Sequence, residues 1–260
     1  MVRCFFDLRK GKGLALRPSR MARVLRLLLV SSAGAVVALG CAASAFACGS
    51  SGYSYAGLGA PYRGYGISAT VTSLEDFDVP HGHVAGWVGV GGPGEGPGGT
   101  NEWLQVGLSR FPGVVGSDAY YEVALPGHNP VYHQVVGGLS AGSAVEVAVV
   151  EVRSHPDRWR VLLNGRAVSP PIHLPRSHNR WTPMATAESW DGGTRGACNA
   201  FLYDFRSLEV AYAAGGSWHP LSGGFPIESR MTRIRRARGS AAFLAAEGRA
   251  AFQLLPSLAP

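Results

Sequence analysis

Two glutamates stand inside apolar, aromatic-rich segments, where a carboxylate is costly unless it has a partner or a task. Glu122 follows paired tyrosines in AYYEVALP, and Glu188 precedes a tryptophan in MATAESWD. Burial disfavours the charged form of an acid, so each carboxylate is either paired across a sheet or kept for proton transfer. Taken alone, each glutamate allows both interpretations.

A side-chain amide and an indole share one face of a predicted strand. Residues 84–90 and 103–108 alternate apolar with other residues and flank a Gly/Pro-rich loop, which predicts a hairpin. In its second arm Trp103 and Gln105 point one way, and Leu104 and Val106 point the other. Such a pair suits a ligand-binding surface, and it is equally typical of an ordinary exposed strand.

The sequence contains no motif for a serine or cysteine nucleophile or for a phosphate-binding loop. There is no GxSxG, Cys198 has no histidine nearby in sequence, and the glycine-rich loop 91–99 has neither a following helix nor a lysine for phosphate. The histidines have no third ligand at a definite spacing, so we expect solvated loop residues and no metal or cofactor. They include His81, His83, His128 and His133.

The positive charge lies at the two ends of the chain. The net charge is +7, but residues 1–47 carry +7, residues 229–260 carry +5 and the centre carries −5. A basic surface for nucleic acid is therefore not expected on the central domain.

The first 47 residues read as a secretory signal. Arg23 and Arg26 precede an apolar run, and Ala45-Phe46-Ala47 is a small-x-small cleavage site. We expect a secreted or cell-surface protein that meets the membrane only through this segment or through lipidation at Cys41. Met21 is an alternative start to Met1. Export would permit, without establishing, a disulfide between Cys48 and Cys198.

The rest of the pattern is that of short strands. A Gly/Ser/Tyr-rich linker is predicted over 48–66, a sandwich domain over 67–220, and a basic tail with a short helix in 241–255 over 221–260. The absence of a helical apolar stripe before residue 238 and the many turn signals predict an all-β, antiparallel β-sandwich. Ten strands are expected, at 67–74, 84–90, 103–108, 119–125, 131–136, 144–152, 158–163, 183–190, 199–203 and 207–212.

The order of motifs resembles that of the glutamic peptidases, or eqolisins. The series GWVGVGG, NEWLQVG, AYYEVALP, TAESW and a YDF segment follows theirs across residues 68–212. The resemblance implies a divergent, bacterial-type member on a concanavalin-A-like (jelly-roll) sandwich, a secreted acid endopeptidase that acts on polypeptides without metal or cofactor, and we expect a monomer. It assigns Gln105 and Glu188 as the catalytic pair and Trp87 as a wall of the cleft. Glu122 would hold Gln105 or the water, and Trp103 and Trp190 would complete the substrate-binding set.

Departures from the family pattern keep a second function open. Gly91 replaces the usual aspartate of WVGIDG, Ser189-Trp190-Asp191 replaces two apolar residues and an acid, and aromatic residues after Glu122 are lost. The alternative is a noncatalytic glycan- or surface-binding sandwich, with Trp87, Trp103, Trp181 and Trp190 as stacking platforms. A glycoside hydrolase is disfavoured because Glu188 lacks an acid-x-acid spacing on its strand.

Overall fold

The computed structural model describes residues 52–194, 199–236 and 241–256. Within them it places sixteen strands, a short 3₁₀ turn at Pro97–Gly99 and one helix. The elements are β1 (Tyr53–Gly59), β2 (Gly66–Ser73), β3 (His83–Gly92), β4 (Glu102–Arg110), β5 (Ser117–Ala124), β6 (Val131–Leu139), β7 (Ala144–Glu151), β8 (Arg158–Leu163), β9 (Arg166–Ala167), β10 (Ile172–His173), β11 (Met184–Trp190), β12 (Phe201–Ala211), β13 (Trp218–Pro220), β14 (Phe225–Glu228), β15 (Thr232–Arg236), β16 (Phe243–Glu247) and α1 (Arg249–Leu254).

The strands form two antiparallel sheets. The first has the order β14-β1-β11-β3-β4-β5-β6, and the second has the order β10-β8-β7-β2-β12-β16-β15, with β13 beside β12 and β9 beside β8. The predicted all-β, antiparallel sandwich is therefore confirmed. Each of the ten expected segments falls on a strand, and the last two join as β12, whose pairing with β2 shifts register between Arg206 and Glu209.

The core lies between the inner faces of the two sheets. Branched residues of β3 and β4 meet large aromatic residues of β12 and β16 there, and these side chains are almost wholly removed from water. Gly86 of β3 allows Tyr203 of β12 to pack closely against it, because a Cβ at this position would lie 2.6 Å from the Tyr203 ring. The alternation that buries Val88, Leu104 and Val106 sends their sequence neighbours to the outer face of the first sheet.

The two sheets extend beyond both ends of the predicted sandwich domain 67–220. Residues 53–59, assigned to a linker, form β1 between β14 and β11. The segment assigned to a basic tail contains β14, an edge strand of the first sheet, and β15 and β16, two strands of the second. The predicted helix is limited to Arg249–Leu254. The sequence pattern did not predict β1 because it is rich in tyrosine and glycine, and it did not predict β15 because it is rich in arginine. Pairing with neighbouring strands stabilises both.

The predicted signal segment 1–47 and the cysteines Cys48 and Cys198 lie outside the described residues. Among the residues that are described, no helix is long and apolar enough to span a membrane.

A buried acid links the two sheets beneath the outer face. Glu247 of β16 is 0% exposed, and its Oε1 accepts a hydrogen bond of 2.6 Å from the hydroxyl of Ser54 on β1. Its Oε2 has no hydrogen-bond partner in the described part of the chain. Burial raises the pKa of Glu247 to about 7, against the lowering effect of the nearby Ser54 and Ser189 hydroxyls.

Because of Glu247, we predict that the fold is more stable at acidic pH than at alkaline pH. In the folded protein Glu247 keeps its proton up to about pH 7, whereas in the unfolded chain it loses the proton near the ordinary pKa of a glutamate. The protonated carboxyl therefore stabilises the fold fully below the unfolded pKa, and this stabilisation is lost as pH rises through 7. We expect the free energy of unfolding in urea to fall by about 3 kcal/mol between pH 4 and pH 8 because of this group. Glu247→Gln should remove most of that fall.

The matched control is Glu146→Gln, which neutralises an exposed carboxylate on β7. It should leave the pH dependence of stability unchanged. Equal slopes for the wild type and Glu247→Gln would contradict this account of the buried acid.

Candidate active site

A groove of about 630 Å³ lies on the outer face of the first sheet. Strands β14, β1, β11, β3, β4 and β5 supply most of its lining, because alternate residues of adjacent strands share a face. Most of the lining is aromatic or aliphatic, with an amide, an imidazole and two carboxylates among it. The lining residues are Tyr53, Tyr55, His83, Trp87, Val90, Gly91, Gly92, Pro93, Trp103, Leu104, Gln105, Glu122, Met184, Thr186, Glu188 and Ile227.

Gln105 and Glu188 line this same groove from the two strands that flank β3. Gln105 is 8% exposed and lies opposite Gly89, whereas Glu188 is 7% exposed and lies opposite Ala85. On a flat sheet that offset would separate their Cα atoms by roughly 16 Å. Trp87 lies on β3 between the two positions, and it lines the same groove.

Glu188 has an imidazole beside it. Nε2 of His83, at the start of β3, lies 3.2 Å from Oε1 of Glu188. The ring of His83 is packed among Tyr53, Phe111 and Trp190, with centroids 5.7–6.3 Å away. The prediction that His83 is a solvated loop residue is therefore wrong, since a strand register that the sequence did not reveal brings it to the groove.

Gln105 is held by a buried tyrosine. Its Nε2 donates a 3.0 Å hydrogen bond to the hydroxyl of Tyr120, which is 2% exposed. Tyr120 stacks on Tyr132 at 5.0 Å between centroids, and the Tyr132 hydroxyl is 2.8 Å from Oγ of Ser109. Burial, together with the charges of Glu188 and Glu122, raises the pKa of Tyr120 well above its ordinary value, so the hydroxyl keeps its proton.

Glu122 is bound to Trp103. Its Oε1 accepts a 2.9 Å hydrogen bond from the indole Nε1. We expected Glu122 to hold Gln105 or the water. In the structure, Tyr120 holds the Gln105 amide instead. Burial and the charge of Glu188 raise the pKa of Glu122, while the Trp103 bond and His83 lower it. The two carboxylates therefore interact electrostatically across the groove.

The four tryptophans that were predicted to bind a ligand lie in three different environments. Trp87 and Trp103 line the groove as expected. Trp190 lies beside it, stacked on Tyr53 at 5.9 Å, and is not part of the lining. Trp181 is 2% exposed and packs on Trp159, so it offers no stacking platform.

The sequence analysis did not identify the groove residues that come from β1 and β14. Tyr53 and Tyr55 come from β1, and Ile227 comes from β14. The alternation of tyrosine with serine and alanine in YSYAG was the available signal for β1. Short, proline-containing β14 gave none.

Gly91 explains one departure from the family pattern. Its φ is +81°, and a Cβ there would lie 2.3 Å from the carbonyl oxygen of Glu102. An aspartate at this position would be strained, because L residues with a side chain rarely adopt this conformation. The acid groups of the groove come from β5 and β11.

In the described residues, no three histidine, cysteine or acidic side chains form a group that could hold a metal ion. The polar groups that face the groove are suited to proton transfer and hydrogen bonding.

The fold resembles that of solved glutamic peptidase structures. Scytalido-glutamic peptidase with a peptide-based transition state analog matches with 16% identity and a TM-score of 0.51, over 76% of this chain and 99% of that one. SCP-B, a member of the eqolisin family in complex with the tripeptide Ala-Ile-His, matches with 16% identity and a TM-score of 0.45 over the same shares. A β-glucanase from Bacillus licheniformis matches with 12% identity and a TM-score of 0.35, over 72% of this chain and 64% of that one.

No protein-family model and no curated protein sequence matches the chain. The likeness to Scytalido-glutamic peptidase shows a shared fold, and the sandwich class expected from the order of motifs is confirmed.

Proposed function

We propose that the chain is an exported, glutamic-peptidase-like acid endopeptidase that uses Gln105 and Glu188 with an activated water. The observation that carries the proposal is that an amide and a carboxylate from separate strands line one groove, each more than nine-tenths buried. Polypeptide is the proposed substrate, since the fold is that of a peptidase bound to a peptide-based analog.

The chemistry needs one base, one acid and one oxyanion donor. Ionised Glu188 takes a proton from water as the water oxygen attacks the scissile carbonyl carbon. The Gln105 amide cannot titrate, and its free N–H donates to the oxyanion that forms on the tetrahedral carbon. Protonated Glu188 then gives its proton to the leaving nitrogen as the C–N bond breaks. Trp87 and Trp103 supply an apolar surface for the substrate chain.

The direct test is incubation of the purified protein with an unfolded protein at pH 3 to 5, with and without a chelator. We expect internal cleavage that the chelator does not affect, because no metal takes part. Absence of new peptide termini under all these conditions would refute the enzyme proposal.

The aromatic lining favours a second candidate, a noncatalytic glycan-binding domain. The rings of Tyr53 and Tyr55 lie 6.1 Å apart with an interplanar angle of 5°, and Trp103 is also in the lining. Aromatic faces of this kind can stack on apolar faces of sugars. Glycan-array binding that does not change between pH 4 and pH 7, in a protein that cleaves no peptide, would support this candidate.

Tyr120→Phe tests how the amide is positioned. The change keeps the ring stack on Tyr132 and removes only the hydroxyl that accepts the Gln105 hydrogen bond. With the amide free to rotate, we expect kcat to fall about 10-fold with little change in KM, since the lost alignment matters mainly in the transition state. Steady-state kinetics on a peptide substrate measures both constants.

Tyr132→Phe is the matched control, because it removes a hydroxyl from the same stacked pair that touches Ser109 instead of Gln105. Its kcat should stay within about 2-fold of the wild type. Equal losses in both variants would show that the hydrogen bond between Tyr120 and Gln105 is not the cause of the loss.

A further inference from the structure

His83 is placed against the carboxylate that the proposed function uses as its base. Nε2 lies 3.2 Å from Oε1 of Glu188, and only 19% of the His83 side chain is exposed. Tyr53 and Trp190 pack on the ring from the neighbouring strands, and Phe111 packs on it from the end of β4. The imidazole is therefore packed among aromatic rings, with its Nε2 at hydrogen-bond distance from Glu188.

The groove holds a second carboxylate near Glu188. Glu122 on β5 is within electrostatic range of it, and Glu188 is itself 7% exposed. Among the described residues that line the groove, His83 is the one basic side chain. The titratable groups that face its ring are Glu188, Glu122 on the far wall and Tyr53 on β1.

We propose that His83 is a positioning residue whose protonated ring keeps Glu188 ionised in acid and leaves Oε2 free to bind the attacking water. This inference rests on the proposed function. An imidazolium at hydrogen-bond distance favours the carboxylate form, so the base stays active at a pH where an unpaired, buried glutamate would be protonated. The hydrogen bond also fixes the carboxylate plane through Oε1.

The kinetic test compares kcat/KM from pH 2.5 to 7 for the wild type, His83→Gln and His81→Gln. Glutamine keeps a hydrogen-bond donor but no charge. We expect His83→Gln to lose about 10-fold in kcat/KM at pH 3 and no more than about 2-fold at pH 5.5, so that the acid limb of the profile moves to higher pH. His81→Gln changes an exposed histidine two residues away and should leave the profile in place.

A loss in His83→Gln that is the same at every pH, or no loss at all, would overturn the proposal, because a merely structural role would not move the acid limb. His83→Phe removes both charge and donor, and it should lose activity across the whole range.

A second measurement does not depend on activity. A double-mutant cycle of His83→Gln and Glu188→Gln, read by urea unfolding, should show stabilising coupling at pH 4.5 that is much smaller at pH 8, where histidine is neutral. Absence of coupling at pH 4.5 would refute the pair. If the wild type cleaves no substrate but the coupling is present, the ion pair stands and the peptidase proposal fails.

Discussion

Glu188→Gln is expected to lower kcat/KM for peptide cleavage at pH 4 by about 10³- to 10⁴-fold, the upper part of the range for loss of a general base. The amide that replaces the carboxylate has nearly the same shape, so the groove should keep its form. It can neither accept the proton of the attacking water nor return one to the leaving nitrogen. Both halves of the reaction therefore lose their proton carrier.

Thermal unfolding and circular dichroism must show that the Glu188→Gln variant is folded. Glu146→Gln, on the other sheet, should cleave as fast as the wild type. Should Glu188→Gln retain more than about a tenth of wild-type kcat/KM, Glu188 would not be the general base.

Gln105→Ala is expected to lower kcat by about 10²- to 10³-fold, which is the usual effect of removing one oxyanion donor. The amide interacts with the carbonyl oxygen most strongly when that oxygen carries negative charge. KM should accordingly change little, because the interaction is realised mainly in the transition state. Single-turnover kinetics on a peptide with one cleavage site separates the two constants.

Gln134→Ala serves as the control for Gln105→Ala. Gln134 lies on β6 opposite Tyr120, on the same outer face but exposed and outside the groove. It should have wild-type kinetics. A large rise in KM for Gln105→Ala with kcat unchanged would make Gln105 a substrate-binding residue without a part in catalysis.

The sequence was most informative where one face of a strand is buried. Alternation in residues 103–108 predicted that Trp103 and Gln105 share a face, and both line the groove. The same period placed Leu104 and Val106 in the core. Strands of this kind are recognisable because a shift of one residue would expose the whole apolar set.

The sequence was least informative where neighbouring strands decide the outcome. β1 carries tyrosine, serine and glycine, yet it pairs on both sides, and β16 is buried between β12 and β15 although FLAAE looks helical. His83 and Tyr120 were missed as site residues for a related reason. Their contacts with Glu188 and Gln105 depend on strand order and register, which no short motif encodes.

The chemistry of the groove also depends on partners that are distant in sequence. Glu188 on β11 interacts with His83 on β3 and with Glu122 on β5. The orientation of Gln105 depends on Tyr120, which itself stacks on Tyr132 of β6. Two short motifs could suggest an amide and an acid. Only the assembled sheet shows that an imidazole and a buried hydroxyl hold them.

In the proposed reaction, Gln105 and Glu188 act on one carbonyl group. A crystal structure at pH 4, with a peptide analogue whose scissile carbonyl is replaced by a tetrahedral carbon bearing a hydroxyl, would show whether they do. We predict that the oxygens on that carbon lie within about 3 Å of both the Gln105 amide nitrogen and a Glu188 carboxylate oxygen. An analogue that contacts only one of the two side chains, or that binds outside the groove, would contradict the claim.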